Sequence, residues 1–236
     1  MGRTLSIYKR ELGAYFNSPV AYIVVTIYLL VIGYMFFAQF FLVGEATMRD
    51  MFGLSPLLFS FFAPAITMRL LSEEKRSGTI ELLITMPVRD WEVVIAKFLA
   101  GLSVLGVAIL LTLAYPLTIS GFGDLDWGTV IGGYLGLFLL AGAYVAIGLM
   151  ASSWTQNQVV AYMVAWLITF ALFLGGKFLP LMPDAVATVI EHVSLDLHFN
   201  NIAKGVIDSR DIIYYLSLIG ACLFITVQSL DSRRWR

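Results

Sequence analysis

Six long stretches almost free of charge constrain this chain more than any other feature. Val20 to Val43 contains no charged residue. Phe52 to Leu71 carries only Arg69, near one end, and Trp91 to Ile119 carries Glu92 and Lys97 near its start. Gly128 to Ala151 has none, Val159 to Leu179 has Lys177 near its end, and Ile212 to Leu230 has none. Each run is about 20 residues or longer, the length an α-helix needs to cross a hydrocarbon core of roughly 30 Å. A transmembrane β-barrel would show short segments of alternating polarity instead. The predicted fold class is therefore an all-α integral membrane protein with six transmembrane helices, at about 20–43, 52–71, 91–119, 128–151, 159–179 and 212–230.

Composition supports the same class. Of 236 residues, 59% are hydrophobic and 13% charged, with mean hydropathy +0.86. A soluble domain has about 45–50% apolar and ~25% charged residues. The net charge of −1 provides no basic field, so no nucleic-acid partner is expected. The single cysteine, Cys222, lies in the last apolar run, which rules out an internal disulfide.

Basic residues set the expected orientation. With the N-terminus inside, the inner side holds Arg3, Lys9, Arg10, Arg69, Lys75, Arg76, Arg89, Lys97, Arg233, Arg234 and Arg236. The outer side holds only Arg49, Lys177, Lys204 and Arg210. Eleven against four predicts a multi-pass protein with both termini in the cytoplasm.

Residues 1–18 precede the spanning domain, which covers 19–231. At 100° per residue, Leu5, Tyr8, Leu12 and Phe16 share one face, and Arg3 and Arg10 lie opposite. This predicts an amphipathic helix at the interface, its bases toward anionic membrane lipids. Ser18-Pro19 then reads as the N-cap and first residue of the first span. Between spans five and six, Asp184 is placed to cap a short helix burying Val186, Val189, Ile190 and Val193. Phe199, Ile202, Ala203 and Val206 repeat at helical spacing, with Gly205 as a stop. Two short helices are expected there, ordered in or against the outer interface, with Asp211 capping the sixth span. In this reading His198, Phe199, Ile202 and Val206 form an outer gate or partner surface.

The densest charge cluster lies between spans two and three, in SEEKRSGTIELLITMPV (72–88). Glu73, Glu74, Lys75 and Arg76 are strongly hydrated. Gly78 permits a sharp turn, Thr79 can cap a short helix beginning at Ile80, and Glu81 sits in its favourable first turn. Ile80, Leu82, Leu83 and Ile84 make an apolar knob, which Pro87 ends. Such a knob with charged flanks suits a groove on a cytoplasmic partner.

Motifs for chemistry are largely missing. The phosphate-binding pattern G-x-x-x-x-G-K-[ST] fails at Gly175-Gly176-Lys177, because Ala171 occupies the first glycine position and Phe178 follows the lysine. His192 and His198 are six apart, which does not suit a helical metal pair. Neither a catalytic site nor a metal site is expected. No Asp, Glu, Lys, Arg or His sits at the middle of a span, which argues against proton-driven carriage.

EEKRSGTIELLITMPV, followed by Trp91 and Lys97, resembles the loop between the second and third spans of type-2 ABC exporter permeases. YKRELGAYFNSPVAY, WTQNQ at Trp154 to Gln158, and HFNNIAKGVIDSRDIIYY extend the match. They are similar to the gliding-motility-associated and nitrous-oxide-reductase-maturation branch. The resemblance implies a six-span permease in a bacterial inner membrane, working with a second copy or a homologous permease. It also implies a separate cytoplasmic ATPase subunit that holds ATP and magnesium, so this chain would be no enzyme and carry no cofactor. Segment 72–88 would be the coupling helix, with Glu73, Glu74, Arg76 and Glu81 as its polar rim and Gly78, Thr79 and Pro87 as its turn and stops. Two outcomes of coupling are expected: export of a substrate, or mechanical transmission to an extracytoplasmic partner without transport.

Overall fold

The computed structural model describes residues 2–44, 47–79, 89–179, 183–206 and 208–232. Among these, every regular element is a helix, and six are long and apolar enough to cross a membrane. Helix α1 spans Gly2–Phe16 and α2, the first span, Pro19–Val43. Ser18 caps α2 by accepting from the Val20 amide, Pro19 follows at the first turn, and Gly44 closes the helix at φ 72°. The second span is α3 (Arg49–Thr67), followed after a turn by the six-residue α4 (Ser72–Ser77).

The third span departs from its predicted continuity. It consists of α5 (Asp90–Leu111) and α6 (Ala114–Ile119), broken at Thr112-Leu113. Pro116 has no N–H to give to the Thr112 carbonyl. That carbonyl instead accepts from the Tyr115 amide at 2.9 Å and from the Tyr134 hydroxyl at 2.9 Å. Spans four to six are α7 (Trp127–Trp154), α8 (Gln158–Phe178) and α11 (Ser209–Asp231). Two short helices, α9 (Asp184–Val193) and α10 (Leu195–Ala203), lie between α8 and α11 as predicted. The C-terminal end of α11 lies at the same end of the bundle as α4, with Ser229 donating to the Ser153 carbonyl at 3.1 Å.

Helix α7 is the axis. Every residue from Leu140 to Ser153 is buried, and α7 packs against α3, α5, α8, α10 and α11. Small residues make this possible. A Cβ on Gly148 would lie 2.0 Å from Thr67 Oγ1, and one on Gly133 would lie 2.2 Å from the Phe52 ring. In a bilayer, helices associate through this kind of close van der Waals packing, because lipid tails compete for any apolar face. The outer spans turn large apolar side chains outward, among them Leu30, Tyr34 and Phe41 of α2, Leu167 of α8 and Phe224 of α11.

Helix α1 packs into the bundle. Tyr15 is buried and donates to the Ile66 carbonyl at 2.7 Å, Tyr8 meets Ser103 at 2.9 Å, and the helix packs along α5. Leu5, on the predicted apolar face, is exposed.

Candidate functional site

The charged stretch after the second span is the natural place to look, and its first half lies within the described residues. Ile80, Glu81, Leu82, Leu83, Ile84 and Pro87 lie outside them. The span ends in a turn whose backbone amides are held by α7: Leu71 and Ser72 N–H donate to Ser152 Oγ at 3.1 and 3.0 Å. Ser152 Oγ in turn donates to the Met68 carbonyl at 3.0 Å. These hydroxyl bonds satisfy backbone groups left over where the helix breaks, the ordinary need of a helix end.

The four charges then divide. Glu73 and Arg76 are exposed. Lys75 is buried, and its ammonium donates to the Ser153 carbonyl. Glu74 turns inward to Lys97, with Nζ to Oε1 at 2.8 Å. Lys97 is only 1% exposed and also lies 3.2 Å from Glu11 Oε1 of α1. Arg10 bridges the same two carboxylates, at 2.8 Å from Glu11 and 3.5 Å from Glu74. One ammonium on the third span thus holds carboxylates from α1 and α4. Burial pushes the Glu11 carboxyl up, but the Lys97 charge and the Arg10 hydrogen bond outweigh it, and the group titrates below its ordinary value. Removing one partner from a buried pair of this kind costs about 3–5 kcal/mol.

Gly78 takes φ 72° and ends α4, the turn its sequence position suggested. Thr79 points back: its hydroxyl meets Ser77 Oγ at 2.8 Å and the Glu74 carbonyl at 3.4 Å. Beside α4 lies a cavity of about 300 Å³ whose walls include Glu11, Tyr15, Arg69, Glu73, Glu74 and Lys97. The Arg69 guanidinium stacks over the Tyr15 ring at 4.7 Å, on the wall nearest α1. One carboxylate oxygen here, Glu74 Oε2, is buried without a hydrogen-bond partner.

On the opposite face, α9 and α10 form a fixed cap. Phe199 and Ile202 are fully buried against α7, and a Cβ on Gly136 would lie 3.2 Å from the Phe199 ring. Gly132 and Gly136 therefore admit α10 within the chain. Val206 is 64% exposed and stands outside this packing. Asp196 is buried and pairs with Lys177 at 3.0 Å, and Asn200 donates to it at 3.1 Å. Tyr214 and Tyr215 donate to the Val193 and Leu195 carbonyls.

Asp211 does not cap the sixth span. Asp208 does, accepting from the Arg210 amide at 2.9 Å, while Asp211 Oδ1 sits 2.6 Å from His198 Nδ1. Both aspartates stand near the helix start, and the imidazole, stacked on Tyr214 at 4.0 Å, claims the second. His198 is therefore built into the cap. Among the described residues, no group of three or more His, Cys, Asp or Glu is gathered as a metal would need.

Sequence reasoning missed Glu11, Ser152 and Ser153, and used Lys97 only for topology and as part of the family motif. The available signal was a lysine placed seven residues inside an apolar run, where an unpaired charge would be costly.

A family model for an ABC-2 family transporter protein matches residues 22–217. The chain belongs to the ABC-2 transporter family. It is a multi-pass membrane subunit of the permease type, and the family implies an ABC ATPase as partner. A comparison with curated proteins finds no match.

Proposed function

We propose that this ABC-2 permease couples ATP hydrolysis by a separate nucleotide-binding subunit to export of a substrate across a bacterial inner membrane. Both termini are then cytoplasmic, and the ATPase docks on segment 72–88. Two permeases, identical or homologous, make the working unit. The observation that carries this reading is the anchoring of α4: the helix opening the segment is bonded to the ends of α5 and α7 and to α1. A force applied to it therefore reaches three parts of the bundle, as rigid-body switching requires. The sequence motifs support the gliding-motility-associated and nitrous-oxide-reductase-maturation branch.

The docking role is tested by Glu81→Ala combined with Leu83→Asp. A charge buried unpaired in a groove costs about 3–5 kcal/mol, so the ATPase should bind at least roughly a hundred-fold more weakly. The chain should still insert. Full ATPase copurification by this double variant would refute the docking site. Orientation is tested by single cysteines at Ser77 and Lys204, both exposed, in a Cys222→Ala background. The first should react only with a cytoplasmic reagent and the second only with an external one; the reverse pattern would invert the scheme.

A second reading rests on the opposite-face cap. Helix α10 is tied to α8 and α11 by the Lys177–Asp196 and His198–Asp211 pairs. A cap this firmly tied suits mechanical transmission to an extracytoplasmic partner, with His198, Phe199 and Ile202 fixing its shape, Val206 exposed on its surface, and nothing transported.

A further inference from the structure

We propose that Lys97 is the positioning residue through which segment 72–79 moves the N-terminal helix, so that α1 is a second moving arm of the permease. The inference rests on the reading that an ATPase acts on segment 72–88, and extends it to a part of the chain outside that segment.

Three observations carry it. The first is geometric. Lys97 Nζ lies within 3.2 Å of Glu11 on α1 and 2.8 Å of Glu74 on α4, and is 1% exposed. Neither helix can leave α5 without stranding a buried charge. Arg10 closes the ring by joining Glu11 and Glu74 directly. The second is the quality of the bonds on the two sides of α4. Toward α1 and α5 they run between full opposite charges. Toward α7 they include bonds to the Ser152 hydroxyl and from the Lys75 ammonium to the Ser153 carbonyl. Opposite charges go on attracting one another as they part, whereas a hydrogen bond to a neutral group is lost within a short distance, so α1 follows a displacement of α4. The third is continuity. From the Lys97 centre, Tyr8 to Ser103 and Tyr15 to the Ile66 carbonyl fasten α1 to α5 and α3. Displacement at one end of α1 is then carried along the helix. The 300 Å³ cavity between α1 and α4 leaves room for such a shift.

An inert structural role for Lys97 would stabilise the fold without transmitting motion, and spin-label distances separate the two. Nitroxides are placed on Lys9 or Ser77, each paired with one on Gln156, all exposed, in the Cys222→Ala background. The permease–ATPase complex is measured in nanodiscs, nucleotide-free and trapped with ATP and vanadate. In the native sequence both distances should change by about 1–2 Å or more, the usual scale of helix shifts. With Arg10→Gln removing the direct tie from α1 to Glu74, Lys97→Met should leave the Ser77 change intact and abolish the Lys9 change. Lys97→Arg should restore both. Glu11→Gln in the same Arg10→Gln background, which cuts the α1 arm alone, gives the same test should the Lys97→Met variant insert poorly. A Lys9 distance that stays fixed in the native complex while Ser77 moves would overturn the proposal. So would a Lys9 distance that still changes as in the native complex in both Lys97→Met and Glu11→Gln on the Arg10→Gln background. If Ser77 itself stays fixed on trapping, the ATPase coupling reading fails, and this inference with it.

Discussion

Gly148→Ala is expected to destabilise the bundle by about 1–3 kcal/mol, the usual cost of overpacking a well-filled interior. The new methyl would stand 2.0 Å from Thr67 Oγ1 and 2.8 Å from its Cβ. Thr67 has little freedom to retreat. Its hydroxyl donates to the Ala63 carbonyl at 2.9 Å, and its Cγ2 lies 3.8 Å from where a Cβ on Gly101 would be. The Cβ that is struck is attached directly to the backbone, so relief requires α3 and α7 to part. Helix propensity works the other way, favouring alanine over glycine by up to about 1 kcal/mol. A matched control isolates that term: at Gly220 no atom lies within 4 Å of an added Cβ, so Gly220→Ala should be neutral or slightly stabilising. Adding Thr67→Gly to Gly148→Ala should restore part of the loss. Denaturant titration in mixed micelles reads all of these. A Gly148→Ala protein as stable as the native one would mean that α3 and α7 are not packed at this point.

The same contact shows which parts of this structure a sequence can reveal. The spans were legible because a bilayer leaves few choices: a long uncharged run must satisfy its own backbone, and only a helix does so within one segment. Ser18-Pro19 and Gly78 were legible because caps and turns are local events. Nothing local to Gly132 and Gly136 names what packs on them, since α10 arrives from some 65 residues further along the chain. The break in the third span was missed because Pro116 sits inside an apolar run. Its effect depends on Tyr134 reaching the Thr112 carbonyl across helices.

The site divides along the same line. The charged segment announced itself by composition, yet which of its charges face inward could not be told from their order. Glu74 is drawn in by Lys97, and Lys75 by the Ser153 carbonyl, a group 78 residues away in sequence. Asp208 and Asp211 were equally good caps by residue type, and only the position of His198 decides between them. Distant pairings of this kind leave a trace in sequence only when a charge stands where lipid would reject it. Lys97 left that trace, and Glu11 did not.

Gly132→Val is expected to release the opposite-face cap. An added Cβ would stand 2.6 Å from the Ile202 carbonyl oxygen and 3.2 Å from Gly205 Cα. Both are backbone atoms, so no side-chain rotation relieves the clash, and the branched methyls of valine add to it. Gly205 itself rests on the start of α7, where an added Cβ would lie 3.3 Å from the Thr129 amide nitrogen, so the chain has little room to shift there. The consequence is that α10 lifts from α7, taking Phe199 and Ile202 out of their pocket. At about 1–3 kcal/mol of overpacking, amide exchange over Leu195–Ala203 should quicken roughly ten-fold or more. Protection in α7 from Leu140 onward should persist, because that stretch is held by α3, α5 and α11 as well. Hydrogen exchange in nanodiscs distinguishes the outcomes. Loss confined to α9 and α10 is the expected result. Unchanged exchange over Leu195–Ala203 would show that α10 does not rest on Gly132, and with that the cap could not serve as a fixed gate or as a rigid surface for an outer partner.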